Sequence, residues 1–234
     1  MDTNTILQGR HRGPPLGLLA VISAVLFIGG IALSSRMAGS FYVSPFAPEE
    51  TILQFFRFHA DAVRMQAFFL LASSVPLGIY AATVFSRLNF LGIRVAGVTI
   101  ALYGGLGASF LLASSGMAQW VLSQHSIGSH GDMLFAWQDF AYVTGGPGYS
   151  SMLGLLIAGV SVPSYFMRLL PRWFCLAGVA IGICGQLSLL SLIWPSAIYF
   201  VPLTRFPGFG WLVWCGILLP NSNKSKSVQG GQQP

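Results

Sequence analysis

The sequence predicts an all-α fold, a polytopic membrane bundle of six transmembrane helices with two amphipathic outer segments. Three observations carry that prediction: the composition, the length of the apolar runs, and the placement of Lys and Arg between them. Of the 234 residues, 54% are hydrophobic and only 8% charged, and the mean hydropathy is +0.69, so too few charges are present to solvate a globule of this size. The apolar residues come in blocks of about 20, the length that carries a helix across roughly 30 Å of hydrocarbon at ~1.5 Å per residue. Hydrocarbon offers no partner to a free N–H or C=O, so such blocks must be helical, and the alternation of about ten residues that marks a barrel strand is not seen.

In chain order the spans run from Pro15 to Ser35, Ala62 to Phe85, Val95 to Ser115, Tyr149 to Leu169, Trp173 to Trp194 and Phe206 to Leu219. The last is short and crosses fully only if Tyr199 to Leu203 also enter the membrane. Arg10 and Arg12 before the first span and Ala38-Gly39-Ser40 after it have the outline of a signal peptide. The apolar stretch from Leu16 to Leu33 is longer than the roughly 7 to 15 residues of a signal core, so this helix is expected to be retained. Residues 1–220 form a single bundle on this reading, and 221–234, polar and without apolar periodicity, form a disordered cytoplasmic tail.

Orientation follows from the cations. If the spans alternate, Arg10, Arg12, Arg87, Arg94, Arg168, Arg172, Lys224 and Lys226 share one side, against Arg36, Arg57, Arg64 and Arg205 on the other. The richer side is cytoplasmic by the positive-inside rule, which places both termini inside. The net charge of +6 is then a record of topology, and no nucleic-acid partner is needed to explain it.

Cys175, Cys184 and Cys215 all fall within spans, without Cys-x-x-Cys spacing or a histidine nearby, and read as small packing residues. Gly178 and Gly182 form a Gly-x-x-x-Gly followed by Gly185, while Gly97, Gly104, Gly105 and Gly107 crowd the third span. Such faces let helices approach closely, either within the chain or across a homodimer seam.

Polar chemistry is concentrated outside. Glu49, Glu50, Asp61, Asp132 and Asp139, with His59, His125 and His130, lie in two long outer segments. Four of the six spans carry no charge, the second carries only Arg64 near its outer end and the fourth only Arg168 near its inner end, so the carboxylate chain of a proton-coupled transporter is missing. Within the first outer segment Pro48 suits a first helical position and Glu49 and Glu50 the first turn. Ile52, Phe55, Phe56 and Val63 then recur on one side, an amphipathic lead-in lying on the membrane surface.

Arg57, Asp61 and Arg64 stand at i, i+4 and i+7 of that helix, so the carboxylate can meet either guanidinium. The triad either anchors the helix at the headgroups or clamps an anionic headgroup, with His59 beside it. In the second outer segment Asp132, Phe135, Asp139 and Tyr142 share a face, and Thr144-Gly145-Gly146-Pro147-Gly148 breaks the helix. Asp139 lies too far along to cap it and needs water, a ligand, or an Arg of the first segment; pairing with Arg57 or Arg64 would close a polar lid. The candidate binding residues are therefore Arg57, His59, Asp61, Arg64 and Asp139.

Other chemistries are poorly supplied. His125, His130 and Asp132 are weak metal candidates, loosely spaced in a Ser/Gly-rich loop, and bis-histidine haem ligation would need a histidine inside a span. Glu49-Glu50 followed by Phe55 to His59 superficially resembles the paired motifs of intramembrane prenyl-protein proteases, but Gln54 replaces the motif's arginine and the two elements are adjacent rather than on separate helices. Ser114-Ser115-Gly116 has no histidine in another span to serve as a rhomboid-type base. No cofactor is implied.

Pro171-Arg172-Trp173-Phe174, the Gly-rich helix through Gly185, and Pro207-Gly208-Phe209 leading to Trp211-Leu212-Val213-Trp214-Cys215-Gly216 resemble a bacterial family of six-pass membrane proteins catalogued as a domain of unknown function. The resemblance covers the span order over most of the chain. It implies six spans and a bacterial cytoplasmic membrane, and brings no catalytic residues with it.

The functional expectation is an accessory or binding protein that recognises a lipid headgroup or a membrane partner at its outer face, with membrane lipids, a membrane protein or a second copy of the chain as partners. The alternative is a membrane enzyme acting on a lipid-soluble substrate at the outer leaflet, with His59, Asp61 or Asp139 converging on a cleft. A small transporter would need a polar path, for which Gln66, Ser73, Ser74, Thr99, Ser109 and Gln186 are thin material.

Overall fold

The computed structural model describes residues 13–124 and 131–221. His125, His130, the first two arginines and nearly all of the tail expected to be disordered lie outside the described residues. The described chain is helical, with no strand among its residues: α1 (Leu16–Ala38), α2 (Glu49–Phe58), α3 (Ala60–Phe90), α4 (Ala96–Leu122), α5 (Gly131–Val143), α6 (Tyr149–Phe166), α7 (Arg172–Leu187) and α8 (Phe200–Leu218). Among the described residues five stretches are long and apolar enough to cross a membrane: α1, α3, α4, the kinked pair α5–α6 over 131–166, and α7 with its short extension to Leu192. Helix α8 is not among them; its 19 residues include Arg205 and two prolines.

The long helices alternate in direction, which can be read from side-chain contacts. Ser23 meets Ser73 while Ser34, further along α1, meets Gln66, earlier in α3. The same reversal relates α4 to α3, where Arg64 reaches Ser123 O and Ser109 reaches Ser74 O. Helix α8 runs parallel to α3, since Tyr80 donates to Leu212 O and Arg87, seven residues on, donates to Leu219 O, also seven residues on. Contacts of α1 with α3 and α8, α4 with α3 and α6, and α7 with α6 and α8 close the ring.

Small residues set the spacing in that ring. A Cβ on Gly159 of α6 would stand 2.6 Å from Ala101 N and 2.7 Å from Gly97 O of α4, so only hydrogen fits between these backbones. The Gly-x-x-x-Gly face of α7 is used within the chain, Gly178 against Ser161 and Trp211, Gly182 against Ala158 and Gly154. Large exposed side chains such as Val25, Phe68, Phe110, Leu176 and Ile217 cover the outside of the same helices. In water this apolar belt would be an aggregating surface, and in lipid it is simply solvated.

Three local features depart from the sequence reading. The helix expected to carry Arg57, Asp61 and Arg64 together is broken at His59 (φ −120°, ψ 30°), so Arg57 ends α2 while the other two begin α3. The apolar face of α2 that the spacing assigns to the membrane surface is covered by protein: Ile52, Phe55 and Phe56 pack in a cluster with Val63, Ala118, Leu122 and Leu134. In the second outer segment helix α4 runs on to Leu122, past the expected end at Ser115. The expected break is present: the π-type turn Thr144–Gly148 contains Gly146 in a non-helical conformation (φ −85°, ψ −106°), so α5 and α6 are two helices meeting at a kink. Pro147, with no N–H to donate, sits beside that break.

The fourth departure bears on function. Helix α8 starts at Phe200 and not at Phe206, which places Arg205 inside a helix instead of in an outer loop. Arg87 is likewise buried at the far end of α3, where its Nη1 donates to Leu219 O at 3.5 Å and supplies positive charge to the C-terminal end of α8.

Candidate functional site

A cavity of about 530 Å³ opens at the end of the bundle where α2 and α5 lie. Its walls come from α1 (Phe27, Ile31, Ser34, Ser35), the loop before α2 (Phe41 to Pro45), α3 (Gln66, Leu70), α4 (Leu112, Ser115, Gln119), α5 with the π turn (Gln138, Ala141, Tyr142, Gly145, Gly146) and the start of α8 (Val201, Pro202, Arg205). Exposed Phe41 and Tyr199 line it as well and form its rim. That size and mixture, mostly apolar walls with a few polar groups, is typical of sites for one small organic molecule.

The kink shapes the floor. The break at Gly146 interrupts the regular ladder of α5 and α6, and side chains of three other elements donate to carbonyls near it. Ser115 Oγ donates to Ala141 O at 2.9 Å, Ser188 Oγ to Pro147 O at 3.4 Å, and Arg205 Nη2 to Gly146 O at 3.4 Å. A carbonyl freed at membrane depth costs several kcal/mol if left alone, roughly 2 to 7. These donors therefore hold the kink open. Tyr142 OH donates to Ser191 Oγ at 2.9 Å and ties α5 to the turn after α7.

Arg205 lies beside a pair of aromatic rings. Its Cζ is 5.7 Å from the ring centre of Phe27 and 5.3 Å from that of Tyr149, cation–π contacts with two rings that themselves stack at 6.2 Å. Of its edges, Nη2 reaches Gly146 O, while Nε is buried with no hydrogen-bond partner. Among the described residues no carboxylate lines the cavity. The one ion pair among the described residues is Arg64 with Asp61, on the exposed surface.

Arg205 Nε is one of four such atoms in these walls. Tyr42 OH, Gln119 Oε1 and Gln138 Nε2 are also buried without a partner. Burial pushes the Tyr42 phenol above its ordinary pKa, so it stays protonated and able to donate. Each unpaired buried group costs about 1–3 kcal/mol, and a folded protein tolerates a cluster of them chiefly where function requires it. By contrast Gln66 is partly committed, its Oε1 accepting from Ser34 Oγ at 2.8 Å.

The residues singled out from sequence lie elsewhere. Arg57 and Asp139 are exposed, and among the described residues neither is ion-paired, so no Asp139 bridge to Arg57 or Arg64 closes a lid. Arg64 Nη1 donates to Asp61 Oδ1 at 3.3 Å and its Nη2 to Ser123 O at 3.4 Å. His59 fills the break between α2 and α3 with its ring 5.2 Å from that of Phe55. None of Arg57, His59, Asp61, Arg64 and Asp139 lines the cavity. Asp132 is exposed in the first turn of α5, and among the described residues no three His, Cys, Asp or Glu side chains gather as a metal site would require.

Sequence reasoning missed Arg205, Tyr42, Gln119 and Gln138. The available signal was Arg205 itself, a lone cation in an apolar run between Pro202 and Pro207, since an ionisable residue at membrane depth is a functional candidate by default. Compared with models of known protein families, with curated proteins and with solved structures, the chain matches none.

Proposed function

We propose that this is a bacterial cytoplasmic-membrane binding protein of six spans, with both termini inside, that holds an amphipathic, lipid-soluble molecule in the cavity at its outer end. The carrying observation is the combination of an apolar cavity of about 530 Å³ with four partnerless buried polar atoms in its walls. Apolar walls receive a chain or ring, and the polar atoms receive a head. The opening beside Phe41 and Tyr199 offers an aromatic rim of the kind found at the membrane–water boundary. The excess of Lys and Arg in the opposite loops supports placing this end outside. Helix α8, at 19 residues, is long enough at ~1.5 Å per residue to serve as a sixth span. Arg57, Arg64 and Asp139, exposed near this end, would then face lipid headgroups or a membrane partner.

A photoreactive amphiphile carrying a diazirine on its chain tests this reading. After irradiation of the purified protein in lipid discs, the labelled peptides should be those covering residues 27–45 and 198–205. Labelling spread evenly over the apolar outside of α1, α4 and α7 would contradict it.

A further inference from the structure

We infer that the molecule held in the cavity carries an anionic oxygen head, a carboxylate or phosphate ester on an apolar chain, and that Arg205 is the residue that selects it. The inference rests on the cavity being a ligand site and adds the charge of the ligand.

The argument starts from charge balance. Arg205 is a permanent cation inside a helix, in a wall whose apolar members include Phe27, Leu70 and Leu112. Buried cations in such settings are matched by carboxylates, phosphates or clusters of carbonyls. Here the matching supplied by the described residues is incomplete: two neighbouring aromatic rings, one carbonyl at 3.4 Å, and no carboxylate. Glu50 is hydrogen-bonded by Gln54 and Asp61 pairs with Arg64, and neither belongs to the cavity. The edge that carries Nε has no partner in the chain, and a guanidinium edge suits a carboxylate or phosphate.

Two further partnerless groups in the same walls fit that head. Gln138, 4% exposed, has an amide N–H₂ without an acceptor, and Tyr42 has a hydroxyl without one. With Arg205 Nε they are three donor atoms without a partner on residues that line one cavity, and a small side-chain rotation would be needed to bring each to an anionic oxygen. A neutral head such as an ester or ether also accepts hydrogen bonds but leaves the charge of Arg205 unmatched. The volume admits one chain or ring system of drug size, so the ligand is a single-chain amphiphile or one chain of a larger lipid.

The test uses the full chain in detergent micelles with a fluorescent polyene fatty acid as probe, its methyl ester as neutral control, and acetate and inorganic phosphate as soluble competitors. Wild type should bind the acid at least tenfold more tightly than the ester. Arg205→Gln should bring the acid down to the level of the ester while ester binding persists, which also shows that the variant is folded. Arg205→Lys should retain part of the preference, because a point charge replaces a planar fork. Displacement of the probe by phosphate or acetate at micromolar concentration would keep the anion assignment and make its source a soluble ion. Equal binding of acid and ester by wild type, or an unchanged preference in Arg205→Gln, would overturn the anion assignment and leave the cavity a neutral-ligand site. Failure of both probes to bind would remove the ligand site and this inference with it.

Discussion

Replacing Gly159 with Ala should destabilise the bundle, although alanine is the better helix former. The added Cβ would meet Ala101 N at 2.6 Å, Gly97 O at 2.7 Å and Ala101 Cα at 2.9 Å, whereas ordinary contact begins near 3.4 Å. All three atoms are backbone, so no rotamer change relieves the clash, and α4 and α6 must move apart. An interface opened by ~0.5–1 Å loses a quarter to a half of its dispersion energy locally, and overpacked cores typically lose about 1–3 kcal/mol. Higher helix propensity returns up to ~1 kcal/mol, so with the full return the net loss is about 0–2 kcal/mol, which still lies about 1–3 kcal/mol below a substitution that gains the propensity without the clash. Gly29→Ala is the matched control. Nothing lies within 4 Å of a Cβ there, and the substitution should be neutral or stabilising by up to ~1 kcal/mol. Unfolding in mixed micelles by titration with a denaturing detergent, followed by fluorescence of the six tryptophans, measures both. A Gly159→Ala variant as stable as Gly29→Ala would refute the close approach of α4 and α6.

Three further outcomes follow from the same geometry. Ser34→Ala removes the donor 2.8 Å from Gln66 Oε1 and should cost about 1–3 kcal/mol in the same assay, because the acceptor stays buried. Pro147→Ala restores the amide that a regular turn needs; it should straighten α5 onto α6 and weaken probe binding several-fold, with helicity by circular dichroism unchanged. In intact cells, a cysteine at Glu49 should react with a membrane-impermeant maleimide and one at Arg94 only after permeabilisation; the reverse pattern would invert the proposed topology.

The bundle was legible because its signal is long. Runs such as Leu16 to Leu33 leave a helix little alternative at membrane depth, and the long helices in the structure overlap them. Single backbone breaks are less visible. Arg57, Asp61 and Arg64 are spaced for one helix face, yet one non-helical residue, His59, puts Arg57 on another helix and leaves a surface pair of small energetic value. Thr144 to Gly148 read as a helix break, since glycine and proline both disfavour helices, and Gly146 is indeed non-helical; what the sequence does not reveal is that Ser115, Ser188 and Arg205 supply donors to that kink from distant parts of the chain. Arg205 was assigned to a loop because a cation lowers the apolarity of any run that includes it. Gln119 and Gln138 are single polar residues whose arrival in the wall of one cavity depends on how α4 packs beside α5, which periodicity does not reveal.

Native mass spectrometry of the wild-type chain beside Ile31→Trp tests the binding account most directly. Ile31 is half-buried in the cavity wall, and the larger indole should fill the space while the helices keep their places. Wild type is expected to retain one small amphiphile per chain under activation that strips surrounding lipid, and Ile31→Trp to retain none. Identical spectra from the two proteins would contradict the account.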